Sequence, residues 1–185
     1  MATTSCIALL RAINLAGLNT VGMADLRDLM TSLGLEDVQT LLQSGNAVFR
    51  SRETPDRLEQ MLERAAEKEF GSRVEFFVRT ATEWNAMIAA NPFRSEAKSD
   101  PGHLLALALK AAPTTAHVTA LQQAIKGREV VRAKGRFAYI VYPDGVGRSK
   151  LTSALIEKTL GTRGTGRNWN TVLKLAALAE RTSRT

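Results

Sequence analysis

The sequence predicts an α+β protein made of two ferredoxin-like halves, each with the element order β-α-β-β-α-β. Apolar runs of strand length alternate with segments of helical periodicity, and the same order of elements occurs twice along the chain. A polar, turn-rich segment at residues 94–102 separates the two series. We therefore expect two halves packed together: residues 1–93, which include a linking helix, and residues 94–185, which include a terminal helix.

The first half contains four predicted strands and two predicted helices. Residues 6–14 are an apolar run that predicts a buried strand, and apolar side chains at steps of three and four then predict a helix at 23–33, ended by Gly34. Strands at 38–42 and from residue 47 flank a turn at residues 44–46 and predict a hairpin. Thr54 and Pro55 open a helix that ends before Gly71, and residues 74–79 are the fourth strand.

The second half follows a linking helix that the capping-box sequence Thr80-Ala81-Thr82-Glu83 opens. The linking helix carries Trp84, Met87 and Ile88, and these apolar side chains need a surface to pack against. The remaining predicted elements are strand 104–109, helix 113–125, strands 130–131 and 137–142, helix 149–160, a short strand within 162–166 and a terminal helix 168–179.

Composition indicates a globular chain in a reducing compartment. Of 185 residues, 44% are hydrophobic and 23% are charged, and no apolar run approaches the length of a membrane span. The N-terminus has no basic segment before its apolar run, so we expect no signal peptide. A single cysteine, Cys6, excludes an internal disulfide, and we expect a cytoplasmic protein with no membrane association. The Cys and His residues show no metal-ligand spacing, and we expect neither a metal nor a cofactor.

Positive charge is concentrated toward the C-terminus. Residues 1–125 have 12 basic and 14 acidic residues, whereas residues 126–185 have 13 basic and 4 acidic residues. A basic C-terminal third attracts phosphate groups, either in a small molecule or in nucleic acid. The alternative is that these side chains only keep the surface soluble.

Four polar clusters lie beside the ends of predicted elements, where binding sites commonly form. The third cluster, at residues 148–150, follows a glycine-bearing turn and leads into a predicted helix. Backbone N–H groups there, together with Arg148 and Lys150, are suited to binding an anion. The turn lacks the spacing of a nucleotide-triphosphate loop. The candidate ligand-binding residues of the four clusters are, in order, Arg11 and Asn14; Ser44, Gly45 and Asn46; Arg148, Ser149 and Lys150; and Thr165, Arg167, Asn168, Asn170 and Thr171.

Each cluster also has a purely structural interpretation. Ser44-Gly45-Asn46 is what a tight hairpin needs, and Ser149, Asn168 or Asn170 suit the N-cap of a helix. A charge at Arg11 in an apolar strand is costly unless a nearby carboxylate offsets it, or a ligand uses it.

One string on the third strand of the second half resembles an RNA-binding signature. Residues 137–142, Phe-Ala-Tyr-Ile-Val-Tyr, match the aromatic core of that signature, although the preceding Gly135-Arg136 reverses its usual order. The partner strand has no aromatic residue for stacking, so packing in the sheet is the alternative. No nucleophile–base arrangement is recognisable.

These observations leave three functions open. The first is a binding module for a phosphate-bearing small ligand or nucleotide, the second an RNA- or DNA-binding protein, and the third a small enzyme with a polar Arg/Ser/Lys/Asn cleft. The catalytic residues, the ligand and the oligomeric state stay open.

The same clusters resemble the DUF1697 family of bacterial proteins of unknown function. The strings that carry the resemblance are Leu9-Leu10-Arg11-Ala12-Ile13-Asn14, Met23-Ala24-Asp25-Leu26-Arg27, Gln43-Ser44-Gly45-Asn46-Ala47-Val48-Phe49, Asn91-Pro92-Phe93, Ser149-Lys150-Leu151-Thr152 and Thr165-Gly166-Arg167-Asn168-Trp169-Asn170-Thr171-Val172. Ala12 and Ala16 stand where the family usually has glycines. The resemblance implies an α+β protein with ferredoxin-like halves, and it implies no activity.

Overall fold

The computed structural model describes residues 3–11 and 21–183, and this part of the chain forms eight strands and seven helices. The first elements are β1 (Thr4–Arg11), α1 (Met23–Ser32), β2 (Glu36–Thr40), β3 (Asn46–Ser51), α2 (Pro55–Phe70), β4 (Glu75–Thr80), α3 (Ala81–Ala89) and α4 (Arg94–Ser99). The others are β5 (Leu104–Leu109), α5 (Thr115–Ala124), β6 (Val130–Lys134), β7 (Phe137–Val141), α6 (Ser153–Leu160), β8 (Gly164–Asn168) and α7 (Trp169–Ser183).

The chain divides into two compact units. The first comprises Met1–Ala86 with Lys174–Thr185, and the second comprises Met87–Leu173. The division falls within α3 and within α7, so that the end of the terminal helix belongs to the first unit. The boundary expected between residues 93 and 94 lies inside the second unit.

The first unit contains an antiparallel sheet with the strand order β2-β3-β1-β4. Each helix crosses over one intervening strand: α1 connects β1 to β2 across β3, and α2 connects β3 to β4 across β1. This order and these two crossovers are those of a ferredoxin-like fold, as predicted. The apolar side chains between the sheet and its helices are fully buried, among them Leu10, Leu26, Met30, Phe49, Leu58 and Phe76.

The second unit repeats this arrangement with the strand order β6-β7-β5-β8, again antiparallel throughout. Alternate residues of β5 point to opposite faces of the sheet. Leu107 and Leu109 face α5 and α6 and pack with Leu121, Ile140 and Leu160. The predicted fold class, α+β with two ferredoxin-like halves, is therefore confirmed.

Several local predictions are confirmed by hydrogen bonds and backbone angles. The Thr80 hydroxyl accepts from the Glu83 N–H at 3.1 Å, and the Glu83 carboxylate accepts from the Thr80 N–H at 2.8 Å, which completes the predicted capping box. Gly71 follows α2 with a φ of +67°, a left-handed conformation that glycine adopts without strain.

Two local predictions were wrong. The segment at 94–102 is not only turns, because it contains the short helix α4 and a 3-10 turn at Pro101–His103. The sixth helix begins at Ser153 and not at residue 149, because a separate 3-10 turn precedes it and Thr152 is its N-cap.

The last part of the first predicted strand, including Asn14, lies outside the described residues. Among the residues that the structure describes, no helix combines the length and apolar character needed to cross a membrane.

Candidate functional site

A pocket of about 470 Å³ lies at one end of the second unit. One wall is the connection from α5 to β6, which contributes Lys126 and Glu129, and the other is the connection from β7 to α6, which contributes Arg148, Ser149 and Lys150. Apolar side chains of Ile125, Leu151 and Leu155 also line the pocket. We call this feature the basic pocket; it contains the three residues predicted from the third sequence cluster.

The basic pocket has three cations that form no ion pair with the described carboxylates, although the charge of Arg148 contributes to lowering the pKa of Asp144. Lys126, Arg148 and Lys150 are exposed, and none forms an ion pair with any residue that the structure describes. Asp144, which also lines the pocket, is instead held by the guanidinium of Arg128, and this hydrogen bond keeps the pKa of Asp144 below its usual range. The exposed charge of the pocket is therefore predominantly positive.

Ser149 is oriented by two hydrogen bonds. Its hydroxyl oxygen accepts from the Leu151 N–H at 3.0 Å, so the hydroxyl hydrogen is donated to Oε1 of Glu129. The N-cap interpretation of Ser149 was wrong, because the Thr152 hydroxyl accepts from the Leu155 N–H of α6 at 3.2 Å. Ser149 instead fixes a carboxylate in the wall of the pocket.

Glu129 is a buried carboxylate, with only 8% of the residue exposed. Its Oε2 atom has no hydrogen-bond partner among the described residues. Burial, and secondarily the negative charge of Glu129, raise the pKa of the Tyr142 hydroxyl to about 12. A buried carboxylate oxygen without a donor is unfavourable in a protein interior.

The backbone of the β7–α6 connection contributes less to anion binding than its sequence predicts. The N–H groups of Gly145, Arg148 and Ser149 donate within the turn, to the carbonyls of Tyr142, Gly145 and Val146 respectively. These three amides are therefore already engaged within the turn.

Two members of the fourth sequence cluster, Thr165 and Arg167, point to the other face of the second sheet. Arg167 is paired with Ala106, on the face opposite α5 and α6, and its Nη1 donates to the Thr165 hydroxyl at 3.0 Å and to the Gly166 carbonyl at 2.8 Å. Desolvation lowers the pKa of Arg167 to about 10, which leaves it charged near neutral pH. The structure therefore does not bring these two side chains to the basic pocket.

The end of the fourth cluster caps α7. Asn168 Oδ1 accepts from the Thr171 N–H at 3.0 Å, which confirms the N-cap interpretation for Asn168. Asn170 is exposed in the first turn of the helix, and Thr171 is buried.

The second cluster lies beside the end of β1, which carries Arg11 of the first cluster. The Leu10 N–H donates to the Gly45 carbonyl at 2.8 Å, so the end of β1 is beside the turn that contains Ser44 and Gly45. Asn46 is fully buried, and its Nδ2 donates to the Leu41 carbonyl at 2.8 Å and to the Ser44 hydroxyl at 3.0 Å. These bonds support the hairpin-turn interpretation.

Arg11 has the carboxylate partner that its structural interpretation requires. Its Nη1 donates to Oε2 of Glu75 at 2.6 Å, and both side chains are mostly buried. Asn14, the other member of this cluster, lies outside the residues that the structure describes.

The aromatic side chains of β7 are in the interior and not on a stacking surface. Phe137 is 8% exposed and Tyr139 is 1% exposed, and the Tyr139 hydroxyl donates to the Met87 carbonyl at 2.7 Å. A base cannot stack on side chains buried in this way, so the resemblance to an RNA-binding signature reflects packing.

The sequence did not identify Lys126 and Glu129 as site residues. Both lie in the polar connection Lys126-Gly127-Arg128-Glu129, which follows an apolar helix and precedes a strand. The run of charges around a glycine was the available signal, but only the fold places it opposite the β7–α6 connection. In the described ranges, 3–11 and 21–183, no group of three or more His, Cys, Asp or Glu side chains is placed to hold a metal ion.

Comparison with known proteins identifies a family and a fold. A family model described as "Protein of unknown function (DUF1697)" matches residues 3–139. A solved structure, that of conserved bacterial protein SP0830 from Streptococcus pneumoniae, is similar with a TM-score of 0.69 and 24% identity, over 96% of this chain and 99% of that one. No curated protein matches.

At this level of identity the solved structure supports the fold alone. The family match covers most of the chain, and four of the six strings that carry the resemblance lie within the matched residues. The chain therefore belongs to the DUF1697 family.

Proposed function

We propose that the second unit binds a small anionic molecule, bearing a phosphate or carboxylate group, in the basic pocket. The observation that carries this proposal is the presence of Lys126, Arg148 and Lys150 around one pocket, each exposed and without an ion-pair partner among the described residues. Three cations held near one another repel each other, and a bound anion removes that repulsion.

The pocket also has the size and mixed lining of a small-molecule site. Its volume of about 470 Å³ is within the usual range for such sites, roughly 300–1,000 Å³. Ile125, Leu151 and Leu155 offer an apolar surface to the uncharged part of a ligand. Because the cations are exposed, we expect affinity to fall as ionic strength rises.

The other predicted site residues form no part of this proposal. Arg11, Ser44, Gly45 and Asn46 belong to the first unit, and Arg167 faces away from the pocket within the second. Their involvement in binding a ligand stays a prediction from sequence.

The proposal is tested by isothermal titration with pyrophosphate, adenosine monophosphate and citrate, using wild type and the triple variant Lys126→Ala, Arg148→Ala, Lys150→Ala. We expect at least one of the three anions to bind wild type and to lose about tenfold or more in affinity in the variant. The matched control is Arg94→Ala, Lys98→Ala, Lys158→Ala, which removes three exposed charges of the same unit that do not line the pocket.

Equal loss in the pocket variant and the control would show that only net charge matters, and the pocket would then not be the site. No binding of any of the three anions to wild type would also contradict the proposal for these ligand classes. A single-stranded oligonucleotide that binds much more tightly than adenosine monophosphate, with a strong salt dependence, would favour the nucleic-acid alternative instead.

A further inference from the structure

The wall of the basic pocket contains one group that an anion alone does not explain. Glu129 brings a buried negative charge to a pocket whose exposed side chains are mainly cationic. Ser149 satisfies Oε1, whereas Oε2 has no donor among the described residues. Buried carboxylate oxygens are normally paired, because their desolvation is unfavourable.

The chain around Glu129 accommodates this carboxylate closely. A Cβ atom added at Gly127 would be 2.9 Å from Cδ of Glu129 and would overlap Oε2. The absence of a side chain at position 127 thus gives the carboxylate its space in the pocket wall. Glu129 is among the residues that line the pocket, so its carboxylate borders the space that a ligand would occupy.

We infer that the ligand of the basic pocket is zwitterionic: it carries an ammonium group, received by Oε2 of Glu129, besides the anionic group that Lys126, Arg148 and Lys150 bind. This inference rests on the proposed function and specifies its ligand class. The carboxylate and the cations line the same pocket, so one small molecule reaches both. An ammonium group supplies the missing donor and also offsets the buried charge.

The experiment compares ethanolamine phosphate with ethyl phosphate by isothermal titration near neutral pH. The two compounds share the phosphate and the two-carbon chain and differ in the ammonium group. A pocket that is only cationic prefers ethyl phosphate, whose net charge is more negative. Reception of the ammonium by Glu129 reverses that order, and we expect ethanolamine phosphate to bind about tenfold more tightly to wild type.

Glu129→Gln removes the charge with little change in shape, and we expect it to abolish the preference or to reverse it. The matched control is Asp144→Asn, which removes another carboxylate of the pocket lining, one already held by Arg128. We expect this control to keep the preference for ethanolamine phosphate.

The outcomes separate this inference from the proposed function. Binding of both compounds with a preference for ethyl phosphate, or with equal affinity, overturns the inference and leaves the anion site intact. A preference that survives in Glu129→Gln also overturns it. Failure of both compounds to bind overturns the anion site for phosphates and the inference with it. If Glu129→Gln does not fold, the inference is decided by which of the two compounds binds wild type more tightly.

Discussion

The guanidinium of Arg11 is 2.6 Å from the carboxylate of Glu75, its cross-strand neighbour on β4. Side chains of directly paired residues lie on the same face of a sheet, and here their opposite charges meet at the end of β1. About a quarter of each side chain is exposed, so the pair is screened only in part. This relationship explains how a charge is tolerated at the end of an apolar strand.

Arg11→Met is therefore expected to destabilise the protein by about 1–2 kcal/mol, because it removes the charge-assisted hydrogen bond between two mostly buried side chains. A double-mutant cycle with Glu75→Gln, measured by chemical denaturation, isolates the contribution of the pair. Arg57→Met is the control: its pair with Glu53 is highly exposed, and we expect a loss below about 0.5 kcal/mol. Unchanged stability in Arg11→Met would contradict a structural role and favour the functional interpretation.

Ser149→Ala is expected to destabilise the protein by about 1–3 kcal/mol, because it leaves Oε1 of Glu129 buried without a donor. The same substitution in a Glu129→Gln background should cost clearly less, since no buried charge is then left uncompensated. Denaturant midpoints of the four proteins give the coupling. Equal losses in both backgrounds would show that the Ser149–Glu129 hydrogen bond contributes little.

The fold could be predicted because short stretches of sequence determine the individual helices and strands and their ends. Apolar steps of three and four, the capping box at Thr80 and Glu83, and the glycine after α2 each specify an element or its end. The strand order follows from the element order. In each half, a β-α-β crossover leaves room for one antiparallel strand between the two strands that it connects, and this fixes the order of the sheet. Short-range chemistry was sufficient for these features.

The candidate site could be predicted only in part, because it depends on contacts between distant parts of the chain. Ser149 and Glu129 are 20 residues apart, and nothing in either local sequence reveals their hydrogen bond. The helix start expected at Ser149 was wrong for the same reason. Serine is a common N-cap residue, and the local sequence does not show that the Ser149 hydroxyl bonds to Glu129 instead. Arg167, in the fourth cluster, was predicted as a ligand-binding residue, whereas the strand register turns it to the face of the sheet opposite α5 and α6.

Both tyrosines of the protein, Tyr139 and Tyr142, are expected to ionise only at high pH. Burial is the main cause that raises the pKa of each hydroxyl from an ordinary value of 10.0 to about 12. The stability that these groups contribute is therefore complete below about pH 10 and is lost as pH rises toward about 12. Tyrosinate absorbance, followed in native and denatured protein, measures both midpoints. A native midpoint near the denatured one, with secondary structure intact, would contradict the burial of these side chains.

Asn168→Ala is expected to destabilise the protein by about 1 kcal/mol, because its side chain accepts from the Thr171 N–H at the start of α7. The control is Asn170→Ala, two residues further along: its side chain is exposed, and we expect a change within about 0.5 kcal/mol. Thermal denaturation of the two variants separates the positions. Similar losses in both would mean that the cap is not specific to Asn168.

Gly127→Ala tests how closely the α5–β6 connection packs on Glu129. The new methyl group would overlap Oε2, so the carboxylate or the backbone must move, and we expect a loss of stability of about 1–3 kcal/mol. Gly102→Ala is the control, because a Cβ atom there has no neighbour within 4 Å.

The cause of that loss is identified by combining Gly127→Ala with Glu129→Ala. If the overlap with the carboxylate is responsible, Gly127→Ala should have almost no effect once the longer side chain is removed, since the space that the carboxylate filled is then vacant. Denaturation of the four proteins in the cycle measures this coupling. A penalty of the same size in both backgrounds would place the strain in the backbone of the connection and not in the overlap with Glu129.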